Sequence, residues 1–542
     1  FGKNIFHADL SISIEELGSL LDHSGPQRDA EQFIANIFKS DRSLIVTNGT
    51  STSNKIVGMY SATAGDTVVI DRNCHKSIAH FLMMVDVVPI YLKPTRNTYG
   101  ILGGIPKSEY SEKAIQDKIL EHPEATAWPT YAVITNSTYD GILYKVEHLQ
   151  NELKVQHLHF DSAWVPYTNF HPIYAEKFGL SLTPKKDQVI FETQSTHKLL
   201  AAFSQSSMIH VKGSFDKDIL NANYMMHMST SPFYPLVASC EVSAAMMAGN
   251  HGYDLINEAI ELALDFRMEV KRLKKQSSDW YFDVWQPTLE KKLSCFPLKP
   301  NEKWHGFHHV DEDHLFLDPV KVTVLLPGIK NEELDDWGIP AVIVEKFLAS
   351  HGVIVEKTGP YSMLFLFSLG ITRAKSMSLL AALNKFKQLY DENVPVKIIL
   401  PQLYQEHPEF YEKMSIQTLA KTIHGLMLKH NLPQVMYHAF DTLPQVIMTP
   451  HQAYQKLIRQ ETQLIPLSQL KDHISAAMIL PYPPGIPLVM PGEQITDESQ
   501  SILDFLLMLD DIGEALPGFA TEIHGVVAGE DGTSYVQIIK KA

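Results

Sequence analysis

Seven short apolar runs recur between residues 43 and 213, and each ends in a polar residue or glycine. They are "SLIVTNG" (43–49), "DTVVIDR" (66–72), "VVPIYLK" (87–93), "YAVITNS" (131–137), "VQHLHFD" (155–161), "QVIFETQ" (188–194) and "SMIHVKG" (207–213). Their length and their Val and Ile content predict buried strands. Helix-compatible stretches fall between several of them, among them "STSNKIVGMYSA" (51–62) and "HKSIAHFLMMV" (75–85). Such alternation predicts an α/β domain built on a mostly parallel central sheet. Ligands of these sheets sit outside the carboxyl ends of the strands, so the polar residues at those ends are where chemistry is expected.

The rest of the chain has a different pattern. Leu255, Ala259, Ile260, Ala263, Phe266, Val270 and Leu273 form one stripe over 254–276, which predicts a linking helix. Strands are expected in "KVTVLLPG" (321–328), "GVIVEKT" (352–358) and "SMLFLFSLG" (362–370), around the helix-like "PAVIVEKFLASHG", giving a smaller α+β domain. Mixed helices from about residue 394 lead to the Pro-rich loop "LPYPPGIPLVMPGE" (480–493) and a C-terminal domain. At 542 residues the chain is too long for one ordinary core. The expected division is a linker segment at 1–14, a large domain at 15–248, a small α+β domain at 249–393 and a C-terminal domain at 394–542.

A net charge of −16, with no basic run, argues against a nucleic-acid partner. Cys74, Cys240 and Cys295 form no C-x-x-C pair, so neither a disulfide framework nor a zinc ribbon is expected, and a reducing cytoplasm fits. No apolar run approaches the roughly 20 residues that span a bilayer, so no membrane partner is expected. The chain opens on Phe1 without a signal-peptide shape and is expected to begin inside a longer gene product.

Three strand ends carry unusual residues. Gly49, Thr50, Ser51, Thr52 and Ser53 lead into a helix, where small residues and the helix N-terminus suit an anion. The cup lacks the lysine of a P-loop, and an ordinary Ser/Thr helix cap is an equally good reading of it alone. Asp161, in "HFDSAW", could hold a metal, act as a base, pair with a ring nitrogen or simply cap a turn. With no His or Glu set beside it, metal is the weakest of these. Lys198 follows "VIFETQ" and precedes "LLAAF", so burial of both flanks is expected. Burial lowers a lysine's pKa and makes it nucleophilic, the route to Schiff-base chemistry. A phosphate cup, an aspartate and a lysine at strand ends of one α/β domain together meet the needs of pyridoxal 5'-phosphate. The cup anchors the phosphate, the aspartate keeps the pyridine nitrogen protonated, and the lysine holds the aldehyde.

Longer stretches carry a family resemblance: "ELGSLLDHSGP" (16–26), "IVTNGTSTSNKIVGMY" (45–60), "IDRNCHKS" (70–77), "LKPTRN" (92–97), "VITNSTYDG" (133–141), "HFDSAWVPYT" (159–168), "FETQSTHK" (191–198), "FLDPVKVT" (316–323), "EKTGPY" (356–361), "MTPHQAY" (448–454) and the Pro-rich loop. The chain resembles the bacterial ornithine/lysine/arginine decarboxylases of the aspartate-aminotransferase fold (fold type I), and within them the acid-inducible lysine decarboxylases. The resemblance implies an N-terminal response-regulator-like wing in family members, and the stretches that match here are expected to follow it.

The resemblance implies that Lys198 holds the cofactor covalently and Asp161 meets its ring nitrogen. It implies that Ser51, Thr52, Ser195 and His197 form the phosphate cup, that His75 stacks on the ring, and that Trp164 walls the pocket. Read alone, His75 would more often be a structural histidine. Lys198 or His197 would return a proton to the substrate Cα, and Glu356 would meet the distal cation. Thr230 and Ser231, in "HMSTSPFYP", would reach the phosphate of a partner subunit in a homodimer with shared sites. The implied reaction is decarboxylation of L-lysine to cadaverine and CO2, consuming a proton during acid stress. Arginine or ornithine decarboxylation, an aminotransferase and a non-catalytic cofactor-binding relative are the alternatives. A sequence pI near 5.9 and 25 histidines lead to a further expectation, that self-association strengthens and activity peaks as pH falls toward 6.

Overall fold

The computed structural model describes residues 2–9, 14–287, 293–482 and 485–541. All seven expected runs form strands of one sheet: β1 (Arg42–Val46), β2 (Thr67–Asp71), β3 (Val88–Leu92), β4 (Tyr131–Thr135), β6 (His157–Asp161), β7 (Val189–Gln194) and β8 (Ser207–Gly213). The intervening β5 (Ile142–Tyr144) pairs instead with β10 (Leu315–Leu317). The sheet order is β1-β8-β7-β6-β4-β2-β3. Only β8 runs against its neighbours, and β2, β3, β4, β6 and β7 pair in parallel. Their near-continuous apolar character follows from burial on both faces, and Ile45, Val69, Ile70, Ile134, Phe160 and Ile190 are all solvent-inaccessible.

Helix α1 (Lys3–Ala8) lies within the expected linker, whose residues 1 and 10–13 fall outside the described set. Helix α2 (Gly25–Phe38) follows, then α3 (Thr50–Ser61) between β1 and β2 and α4 (Lys76–Met84) between β2 and β3. The long helix Asn250–Gln276 buries Ala259, Ile260, Ala263, Phe266 and Val270 as its stripe requires. It also buries Arg267, whose guanidinium donates to the carbonyls of Trp285, Pro319 and Lys321. Three backbone acceptors are what make a charge tolerable on that face.

The second sheet is antiparallel: β9 (Asp283–Val284), β11 (Lys321–Leu325), β15 (Ser362–Leu366) and β14 (Lys357–Thr358). The expected strand at 352–358 shrinks to Lys357–Thr358. Ile354 is 80% exposed while Val353 and Val355 pack on the core, so the run is an ordered loop, not a strand, and it delivers Glu356. β12 (Ile329–Lys330) and β13 (Glu333–Leu334) form a small hairpin. The C-terminal region packs the helix Gln500–Ala515 against the helix Leu432–Asp441 and holds a three-stranded sheet made of Thr462–Pro466, Ser534–Ile539 and Val526–Ala528. Pro483 and Pro484 of the Pro-rich loop lie outside the described residues.

Candidate active site

The carboxyl ends of β1, β6 and β7 converge. Gly49 caps α3 with φ +72°, a left-handed conformation that glycine adopts freely, and a Cβ there would meet nothing within 4 Å. The first N–H groups of a helix lack intrahelical partners, so α3 presents donors and its positive dipole end at this point. Its first turn is fastened by hydroxyls. Thr50 Oγ1 bonds Ser195 Oγ at 2.7 Å and Ser207 Oγ at 2.9 Å, and Ser53 Oγ bonds Ser207 Oγ at 2.8 Å. Ser207 donates onward to the Gln194 carbonyl. Thr52 is buried and accepts from the Asn48 amide at 2.9 Å, whereas Ser51 is exposed.

Asp161 ends β6 at 4% exposure. Its Oδ2 accepts from the Asn54 amide at 2.8 Å and its Oδ1 from the Ala163 N–H at 3.2 Å. Burial raises its pKa, against the opposing effect of the Asn54 bond, Lys198 and the Ala163 N–H. No ion pair satisfies it among the described residues.

Lys198 sits on the one-turn helix Thr196–Leu199, just after β7. Its Nζ lies 3.9 Å from the centre of the Trp164 ring. Burial lowers its pKa, and the fields of Asp161 and Glu356 oppose that shift. His75 caps α4, with Nδ1 accepting the Ser77 N–H at 3.2 Å. Burial first, then the charge of Lys198, pushes its pKa down to about 3, so the ring is neutral. His197 Nδ1 lies 2.7 Å from the Ser206 carbonyl, which makes it the protonated nitrogen of a neutral ring, and burial lowers its pKa.

Glu356 accepts a hydrogen bond from the Tyr139 hydroxyl at 2.6 Å, and the Tyr139 ring lies 5.0 Å from that of Trp164. Glu356 also lines a cavity of about 460 Å³ with Arg96, Lys346, Tyr482 and Glu522. Thr230 and Ser231 are not brought to this cluster. Both are exposed in the turn between the helices Lys217–His227 and Tyr234–Met246.

The family model "Orn/Lys/Arg decarboxylase, major domain" matches residues 1–375, and "Orn/Lys/Arg decarboxylase, C-terminal domain" matches 433–540. The chain belongs to the Orn/Lys/Arg decarboxylase family. It is 57% identical to the lysine decarboxylase of Hafnia alvei, covering 100% of this chain and 73% of that protein. Identity to the inducible lysine decarboxylase of Escherichia coli K12 is also 57%, over 100% of this chain and 76% of the relative. The crystal structure of the Francisella novicida lysine decarboxylase superposes with a TM-score of 0.98 at 58% identity, over 100% of this chain and 75% of that one. These likenesses agree with the α/β, fold type I architecture expected from the strand pattern.

Some residues of this decarboxylase escaped the sequence reading. Asn54 is hidden inside a helical pattern, and Tyr139 inside a turn. Lys321 begins β11 and is buried, with Nζ 2.7 Å from Ser137 Oγ and 5.8 Å from the centre of the Trp164 ring. Burial lowers its pKa to about 8, against the pull of Asp318 and Asp140. Asp71 ends β2 beside this cluster, and burial raises its pKa to about 7. Only polar residues at strand ends could have flagged Asp71, and nothing local flags the others. No helix among the described residues is long and apolar enough to cross a membrane.

Proposed function

We propose that this decarboxylase converts L-lysine to cadaverine and CO2 with pyridoxal 5'-phosphate, consuming one proton per turnover. The observation that carries the reading is Lys198, an amine held against the Trp164 face and flanked by the carboxylates of Asp161 and Glu356. The residues present fit the cofactor. Asp161 is a buried carboxylate without an ion pair, suited to a protonated ring nitrogen. The open space at Gly49, at the N-terminus of α3, suits a phosphate, which Ser51 and Thr52 of that first turn, with Ser195 bonded to Thr50, and His197 would hold. When bound, the cofactor supplies an electron sink for the pair left as the carboxylate departs.

The remaining work belongs to side chains. Lys198 captures the aldehyde. His75, neutral and held by its bond from the Ser77 N–H, would offer a flat face for stacking, and Trp164, beside Lys198, would wall the pocket. His197 spends its ring proton on the Ser206 carbonyl, so Lys198 is the better placed donor of a proton to Cα. Glu356, oriented by Tyr139, receives the distal ammonium of the substrate. Thr230 and Ser231, exposed in their turn, reach the phosphate site of a second copy, which makes the working unit a homodimer.

Lysine is favoured over arginine and ornithine because relatives named for lysine match the chain along its whole length at 57% identity. The reaction is assigned to the cytoplasm, where proton uptake counters acid stress. CO2 release measured side by side on L-lysine, L-arginine and L-ornithine with added pyridoxal phosphate tests the reading. Lysine is expected to dominate. Preference for another substrate would overturn the specificity, and no release from any would overturn the enzyme.

A further inference from the structure

Asp161 does not stand alone in the core. Its neighbours on the same sheet face form a continuous chain of hydrogen bonds. Successive strand residues point to opposite faces, so His159 and Asp161 share one face of β6. The register sets Thr193 of β7 beside Asp161, and Tyr131 of β4 two positions from the partner of His159. Such diagonal neighbours are within reach of long side chains. Tyr131 Oη lies 2.7 Å from His159 Nδ1, and His159 Nε2 lies 2.9 Å from Thr193 Oγ1. Thr193 Oγ1 is 2.7 Å from Asn54 Oδ1. The Asn54 Nδ2 then reaches Asp161 Oδ2 at 2.8 Å and Ser77 Oγ at 3.0 Å. Asn54, Tyr131, His159, Asp161 and Thr193 are all buried.

The direction of every bond follows from one end. An ionised carboxylate only accepts, so Asn54 must turn its NH2 toward Asp161 and its oxygen toward Thr193. Thr193 must then donate to Asn54 and accept from His159 Nε2–H. A neutral imidazole protonated at Nε2 has a bare Nδ1, which takes the Tyr131 proton. Burial keeps His159 neutral, with its pKa lowered to about 3. The second N–H of Asn54 meets Ser77, whose hydroxyl lies 2.9 Å from His75 Nδ1. One amide therefore meets Asp161 directly and reaches His75 through Ser77, the two residues that would hold the ring nitrogen and stack on the ring.

We propose that Tyr131, His159 and Thr193 form a one-way hydrogen-bond relay that locks the Asn54 amide, making Asn54 the positioning residue that keeps Asp161 ionised and correctly aimed. This rests on the cofactor reading above. Nothing in the relay needs to touch the cofactor. Without it the amide is free to present its oxygen to Asp161, and two acceptors would face each other in a dry core.

Thr193→Val removes the central hydroxyl at nearly constant shape, and Thr193→Ser retains it. Apo-protein titrated with pyridoxal phosphate gives the affinity, and a melt of the same sample reports folding. Loss of a hydrogen bond serving a charged group predicts that Thr193→Val weakens binding at least about tenfold, while Thr193→Ser stays within about threefold of wild type. Tyr131→Phe deletes a single oxygen far from Asp161 and carries the same test should Thr193→Val fail to fold; it is expected to weaken binding by roughly threefold. Wild-type affinity in the folded Val and Phe variants, or a Ser variant as weak as Val, would overturn the relay alone. Failure of the wild-type protein to take up pyridoxal phosphate would overturn the cofactor reading on which the relay rests.

Discussion

Arg72 and Glu493 are 421 residues apart in sequence and meet in a two-pronged ion pair, Nη1 to Oε1 at 2.9 Å and Nη2 to Oε2 at 2.7 Å. Arg72 stands just after β2, three residues before His75, and Glu493 closes the Pro-rich C-terminal loop. Both are buried, at 6% and 2% side-chain exposure. Arg72 also donates to the Leu488 carbonyl, and Glu493 accepts the Met490 N–H. The pair clamps the C-terminal region against the segment that supplies the histidine.

Glu493→Gln leaves Arg72 charged and uncompensated in that environment. Breaking one side of a buried pair costs about 3–5 kcal/mol. The melting temperature is expected to fall and the C-terminal region to open to protease first. A variant that melts and digests like wild type would show that the clamp carries no such load.

Lys198→Ala and Asp161→Asn should fail differently. On the role proposed for Lys198, the first should lose covalent capture of pyridoxal phosphate, with the yellow colour of the bound enzyme and nearly all turnover. The second keeps the lysine and the shape but removes the charge proposed to meet the ring nitrogen, and removal of one preorganised electrostatic group lowers kcat by roughly 10²–10³. Absorbance spectra with single-turnover CO2 release separate the two.

On the role proposed for Glu356, Glu356→Gln should raise KM for lysine and leave the cofactor spectrum alone, because the carboxylate would receive the substrate's distal ammonium. Tyr139→Phe removes the 2.6 Å bond that aims Glu356. A hydrogen bond to a charged group contributes about 1.5–3 kcal/mol, so the Phe variant should show a smaller KM rise in the same direction. Equal KM values in all three proteins would move substrate recognition elsewhere.

The pH response of the folded protein differs from what 25 histidines suggest. Burial pushes His159 and His210 down to about 3 and His314 down to about 4. These rings stay neutral between pH 8 and 6, so they add no charge to weaken self-repulsion there. An unfolded chain protonates them near 6.5. Their stabilising contribution is therefore present above about 6.5 and is lost as pH falls toward their folded values, at about 1.4 kcal/mol per pH unit for each. Asp71 works oppositely. Its pKa, raised to about 7, makes its contribution full below the ordinary aspartate value and lost as pH rises through 7. Denaturant melts at pH 7, 6 and 5 should show net loss of stability on acidification, with a shallower slope in His210→Gln. Light scattering and CO2 assays at pH 8 and pH 6 test the expected strengthening of association and activity, which these buried rings do not supply.

Seven runs such as "VVIDR" and "VIFETQ" determined the central sheet by themselves, because strands buried on both faces must be short, apolar and bounded by turns. The same reading placed Gly49, Asp161 and Lys198 at strand ends, since the chemistry of each is local to its own turn. "GVIVEKT" misled, because apolar content cannot report whether a sheet edge is available to bury it. Asn54, Tyr139 and Lys321 were invisible for a related reason. Their roles come from partners at 161, 356 and 137, which helix packing, loop placement and the antiparallel second sheet bring together. Sequence pattern decides which residues are buried and where strands end. Which buried polar groups face one another is decided by the tertiary fold, because an unpaired polar atom in a dry core is too costly to leave and its partner can lie anywhere along the chain.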